Sequence, residues 1–301
     1  MAATSRITRV VGAPTPPILD VRGIVKMHIL VATDMSARSD RAVRRGVDLA
    51  ARHNAAVTVL SIVDDAGPEA LTAQMVASVT AELRRFVASL PGGDAHEVVV
   101  GAGDPTAALI ERVRTMGPDL LVLGRHRERP FLDTIHETTA GRLVRLTASP
   151  VLMVSDRVDH PYDRVLAATD FSPAAAAAIT LAHDLAPQAG IDPVHAFHVP
   201  YDGVLSRVGG GGDIAASFRA EAEEADATWR ARHVLPEICG GTRILPGSPL
   251  EVLSTEIRAT GAALICAGAH GRVGQGRPIL GSVATDLMRF PPCDLLIARA
   301  G

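Results

Sequence analysis

The chain states nearly the same segment twice. Met27-His28-Ile29-Leu30-Val31-Ala32-Thr33-Asp34-Met35-Ser36 returns as Asp163-Arg164-Val165-Leu166-Ala167-Ala168-Thr169-Asp170-Phe171-Ser172. Each is an apolar run that ends in Ala-Thr-Asp-x-Ser and leads into an alanine-rich helical pattern. Thr33 and Thr169 set the offset at 136 residues. An internal repeat of this length decides architecture before any single residue does.

The repeat continues downstream. Ala56 to Val63 matches Pro193 to Val199, and Asp34–Val63 and Asp170–Val199 both span 29 positions. Gly103-Asp104-Pro105 answers Gly247-Ser248-Pro249, and Leu120–Gly124 answers Leu264–Gly268, now at an offset of 144. The second copy therefore carries about eight extra residues (144 less 136), which we place around Gly209–Gly212, a flexible loop by composition. In the first copy, strands are expected near 27–33, 56–62, 95–100, 119–124 and 150–154. Short apolar runs alternating with longer helical patterns predict an α/β fold with parallel strands and right-handed crossovers. Ser172-Pro173 sets an N-cap before a proline at the first helical position, and Gly190 is expected to close that helix. The division is read as a disordered tail or misassigned start over 1–26, a first domain over 27–156 and a second over 161–301.

Composition narrows the function. With 301 residues there is chain enough for two cores, and 47% apolar with 21% charged residues describes a globular protein. A net charge of −3 offers no basic field for nucleic acid. Lys26 is the only lysine, so a lysine phosphate clamp is nearly excluded, and no P-loop is present. Cys239, Cys266 and Cys293 lack any CxxC spacing, which speaks against thiolate zinc or a disulfide framework and fits a reducing cytoplasm. No run of 18 apolar residues exists for a membrane span. The first 26 residues hold Arg6, Arg9, Arg22, Lys26 and three prolines but no continuous apolar stretch, which disfavours a signal peptide. Met27 is the alternative start.

Ligands of parallel α/β sheets sit beyond the carboxyl ends of the strands. Three features of the second copy converge there: Thr169-Asp170, Val199, and the loop Gly268-Ala269-His270-Gly271 that runs on to Gly281-Ser282. Helix-start amides beside glycines form a site for phosphate. Asp170 can accept hydrogen bonds from a sugar hydroxyl or a base amine, or can simply cap its helix. Ser282 reads as the N-cap of the last helix and can also touch phosphate. His270 and Arg272 can neutralise phosphate oxygens or stand as solvated loop charges. His195 and His198 invite a metal reading, but residues three apart on a strand point to opposite faces.

Gly268, Gly271, Gly281 and Ser282 fit the signature G-x2-G-x9-G-[ST], and from about Met27 the chain resembles the universal stress protein family in its tandem form. The resemblance implies two Rossmann-like (adenine nucleotide alpha hydrolase-like) domains, each a five-stranded parallel sheet flanked by helices. One branch of that family binds ATP. Carried over, its site comprises Ala168, Thr169, Asp170, Val199, Ala267, Gly268, His270, Gly271, Gly281, Ser282 and Val283, with ATP, alone or with Mg2+, as the ligand. The first copy departs from the signature: Gly124 is kept, but Arg127 and Glu137 replace the next two glycines, and Thr138 follows. A carboxylate near the helix start would repel phosphate, so the first site is expected to be degenerate. The resemblance also implies that the copies pack as a pseudo-dimer through Val151–Val154 and Leu295–Ala298, with further homodimerisation and a protein partner left open. The leading expectation is a regulatory adenine-nucleotide-binding protein. The alternatives are a slow ATP hydrolase or phosphotransfer protein and a nucleotide-free scaffold.

Overall fold

The computed structural model describes residues 26–125, 138–155, 161–198, 211–269 and 280–300. The first half runs β1 (His28–Ala32), α1 (Ser39–His53), β2 (Ala56–Val63), α2 (Glu69–Ala88), β3 (Glu97–Ala102), α3 (Pro105–Met116), β4 (Leu120–Gly124), α4 (Thr139–Leu146) and β5 (Val151–Val154). The second runs β6 (Arg164–Ala168), α5 (Pro173–Leu185), β7 (Gly190–Phe197), α6 (Gly211–Arg232), β8 (Arg243–Pro246), α7 (Pro249–Thr260), β9 (Leu264–Gly268), α8 (Ser282–Arg289) and β10 (Asp294–Ala298). The Rossmann-like α/β expectation holds.

All ten strands form one sheet in the order β3-β2-β1-β4-β5-β10-β9-β6-β7-β8. Pairing is parallel throughout each half. The halves meet where β5 and β10 pair antiparallel, Leu295 opposite Met153 and Ile297 opposite Val151. Helices cover both faces, which is why central strands such as Ile29-Leu30-Val31 are apolar without alternation and fully buried. β5 and β10 are four and five residues long, and every one of those residues is buried. Burying a valine or leucine side chain fully is worth roughly 1.5–3 kcal/mol.

A polar cluster pins the junction. Asp294, with 0% exposure, accepts the Ser155 N–H at 2.8 Å and the Tyr162 hydroxyl at 2.6 Å, and lies 3.5 Å from Arg45 Nε. The Arg45 guanidinium also stacks 4.3 Å over the Tyr162 ring. Burial, then the Asp294 charge, pushes the Tyr162 phenol well above its ordinary pKa, so the hydroxyl stays a donor.

Two details differ from expectation. α5 ends at Leu185, and Gly190 opens β7 rather than closing the helix. α5 has 13 residues against 15 in α1, which shifts the repeat in the next strand. His28 pairs with Ala56 and Arg164 with Gly190, so the offset between β2 and β7 is 134, not 136. Gly211 and Gly212, expected in a loop, begin the 22-residue α6, where the first turn tolerates glycine. Among the described residues no helix is long and apolar enough to cross a membrane.

Candidate functional site

β6 lies between β7 and β9, and the chain leaves it in one direction and returns from the other. That reversal opens a crevice at the carboxyl ends of β6 and β9. Ala168 stands level with Ala267 across it, so the turn after β6 and the loop after β9 start side by side.

The turn is built by its own side chains. The Phe171 N–H donates to Thr169 Oγ1 at 3.0 Å, and the Ser172 N–H donates to Asp170 Oδ1 at 3.1 Å. Phe171 is forced to a φ of 63°, a left-handed conformation rare for a bulky residue. Ser172 caps α5 by accepting the Ala175 N–H at 3.1 Å. Asp170 is thus not the cap: one oxygen of its half-buried carboxylate holds the turn.

Lobe 1 repeats the device. The Met35 N–H donates to Thr33 Oγ1 at 3.1 Å, the Ser36 N–H to Asp34 Oδ1 at 3.0 Å, and Met35 has a φ of 60°. Burial pushes the Asp34 carboxyl up, but hydrogen bonds from Ser36 and Ser39 outweigh it and hold the pKa below its ordinary value.

The motif glycines divide by role. A Cβ on Gly268 would lie 2.9 Å from Ala174 and Ala175 backbone atoms, and one on Gly124 would lie 2.8 Å from Ser39 Cα. This first glycine lets α5, or α1, start against the sheet. Gly281 differs, with a φ of −62° that any residue adopts. Its N–H donates to Ala269 O at 3.0 Å, and the Ala269 N–H donates to Ala298 O at 2.7 Å.

The helix starts differ too. Gly281, not Ser282, is the N-cap of α8, and among the described residues no side chain caps that end. Ser282 and Val283 are the first helical residues, so their amides lead the helix. In lobe 1 Thr138 caps α4, its Oγ1 accepting the Gly141 N–H at 3.1 Å. By burial, Ala140 and Leu143 match Ala284 and Leu287. Thr138 therefore stands at the place of Ser282, and α8 begins one residue earlier than α4.

Ala168, Thr169, Asp170, Ala267, Gly268, Gly281, Ser282 and Val283 are thus found at the strand ends and the helix start. Val199, His270 and Gly271 lie outside the described residues, as do Arg127, Glu137 and Arg272. The strand register puts Phe197, rather than Val199, at the place of Val63. The Gly103 N–H reaches Val63 O at 3.0 Å, and the Gly247 N–H reaches Phe197 O at 2.9 Å.

Two aromatic residues of lobe 2, Phe171 and Trp229, are not announced by the sequence as part of the site. Phe171 stacks on His195 with centroids 4.4 Å apart, and Trp229 lies 6.0 Å from Phe171. The His195 Nδ1–H donates to Thr169 O at 2.8 Å, and the Trp229 Nε1–H to Ser172 O at 3.0 Å. They buttress the Asp170 turn from the α6 side. His195 thereby has a structural task, and no His/Cys/Asp/Glu cluster fit for a metal occurs among the described residues.

Sequence comparison matches residues 27–155 and 161–299 to the Universal stress protein family. The chain belongs to the universal stress protein family. A curated universal stress protein of Mycolicibacterium smegmatis is 26% identical over 298 residues, covering 93% of this chain and 99% of its own. Two crystal structures share the fold. A universal stress protein from Archaeoglobus fulgidus gives a TM-score of 0.65 at 19% identity, covering 91% of this chain and 98% of its own. A putative one from Pseudomonas aeruginosa gives 0.61 at 17%, covering 91% and 93%. The tandem arrangement agrees with an intrachain pseudo-dimer.

Proposed function

We propose that this tandem universal stress protein is a regulatory protein that binds an adenine nucleotide, ATP with or without Mg2+, in its second lobe only. The observation that carries this reading is the start of α8. It is capped by a glycine with no side chain and is tied to Ala269, just past β9, the strand next to β6 where strand order reverses. Amides at such a start attract phosphate oxygens. Asp170 is placed to accept from the sugar or base of the same ligand. Lobe 1 keeps the turn but closes its helix start with Thr138, so nucleotide is excluded there.

Calorimetry with ATP tests this on wild type and on Gly281→Glu, which copies Glu137 of lobe 1. Gly281 has backbone angles that any residue adopts, and circular dichroism checks that the variant folds as wild type does. A loss of affinity of tenfold or more, about 1.4 kcal/mol, is expected. Equal affinity in both proteins, or no heat in either, overturns the reading. The second result leaves the nucleotide-free scaffold.

A further inference from the structure

We infer that β3 is the docking edge for a second copy of this chain, which adds its own β3 antiparallel about a two-fold axis. The inference is independent of the nucleotide reading. The Gly103 N–H points inward to Val63 O, and β3 pairs with β2 from Glu97 to Ala102. Alternation then turns the N–H and C=O of Val98, Val100 and Ala102 outward. No described strand pairs with that side. Val98, Val99 and Val100 are only half-buried, unlike the fully buried valines of β1 and β4.

The opposite edge is blunted. β8 has four residues and ends in Pro246. The Gly247 N–H points inward to Phe197 O, so Ile244 and Pro246 face out, and Pro246 has no N–H to give. Arg243 on β8 is tied to Glu256 in an ion pair. α6, which packs on β8, exposes Arg219, Glu221, Glu223 and Glu224. α2, which packs on β3, carries no charge from Ala70 to Ala81 and exposes Ala70, Ala73 and Ala77. One open edge and one blunted edge give a closed pair rather than a fibre.

The occupant follows from self-complementarity. With the axis through Val100, Val100 faces Val100 of the copy, Val98 faces Ala102, and Ala102 faces Val98. Each pair exchanges both hydrogen bonds, and Glu97 meets no like charge. The chain already joins two strand edges this way at β5 and β10.

Light scattering on the full chain across a concentration series tests it. Wild type is expected at twice 31.5 kDa. Val100→Pro removes an outward N–H along with a half-buried valine and should halve the mass with unchanged circular dichroism. Ala102→Pro, at an exposed strand end, should do the same if Val100→Pro folds poorly. A wild type that stays monomeric at every concentration overturns the inference, as do folded proline variants that stay dimeric.

Discussion

The two lobes share the Ala-Thr-Asp-x-Ser turn down to individual hydrogen bonds, yet differ at the helix that follows the fourth strand. What they share is what packing requires. Gly124 and Gly268 both sit where a Cβ would strike the backbone of a helix start, so neither lobe can give its glycine up. What differs is free of that demand. At a φ of −62°, the backbone at Gly281 accepts any side chain. No positive φ requires a glycine at 281, and the proposed nucleotide would approach there. Under the proposed function, the lobes separate a glycine that packing requires from one that the ligand would use.

The largest break of symmetry is Asp294. Pro150 stands at its place in lobe 1, 144 residues earlier, so the junction holds one such carboxylate instead of two. Asp294→Ala removes the buried carboxylate 3.5 Å from Arg45, leaving Asp48 at 3.6 Å, and takes the acceptor from the Tyr162 hydroxyl. Removing one member of a buried ion pair costs up to about 3–5 kcal/mol, and the remaining Asp48 contact lowers that. Chemical denaturation of wild type and variant measures it. A loss below about 1 kcal/mol would mean that water or a neighbour replaces the carboxylate easily.

A smaller effect sharpens what the lobes share. Gly268→Ala and Gly124→Ala each push a methyl into helix backbone, an overpacking that costs about 1–3 kcal/mol. The two losses should be similar, and in the double variant they should add within about 0.5 kcal/mol. If Gly268→Ala is neutral while ATP binding falls, Gly268 serves the ligand and the packing argument is wrong.

Much of this was legible in the sequence. The predicted strands of the first copy lie within two residues of β1 to β5, because short apolar runs bounded by turns leave little choice. The Ser172-Pro173 cap was equally plain. The end of α5 was not. Ala174 to Leu185 and the segment beyond it form one alanine-rich run, and Gly190 looked like its stop. Two residues lost there moved the match of β2 with β7 and put Phe197 where Val199 was expected, while the match of β4 with β9 stayed at 144. Trp229 was invisible for another reason: its hydrogen bond to Ser172 spans 57 positions, and no local pattern announces such a contact. The start of α8 misled by a single residue, since Ser282 has good capping chemistry but lies inside the helix.

That last point predicts the smallest effect. Thr138 and Ser282 occupy matched positions, yet only Thr138 accepts a helix amide, that of Gly141. Thr138→Ala removes the cap of α4 and should cost about 1 kcal/mol. Ser282→Ala removes an exposed hydroxyl with no capping bond and should change stability by less than about 0.5 kcal/mol. Denaturant titration of the two variants without ligand measures both. Adding ATP should reverse the order of sensitivity, because a ligand that binds only the folded state stabilises it in proportion to its affinity, and Ser282 leads the helix that would hold it. If Ser282→Ala costs as much as Thr138→Ala without ligand, then Ser282 is a cap after all. The two helices would then start alike, and the contrast between the lobes would rest on Gly281 alone.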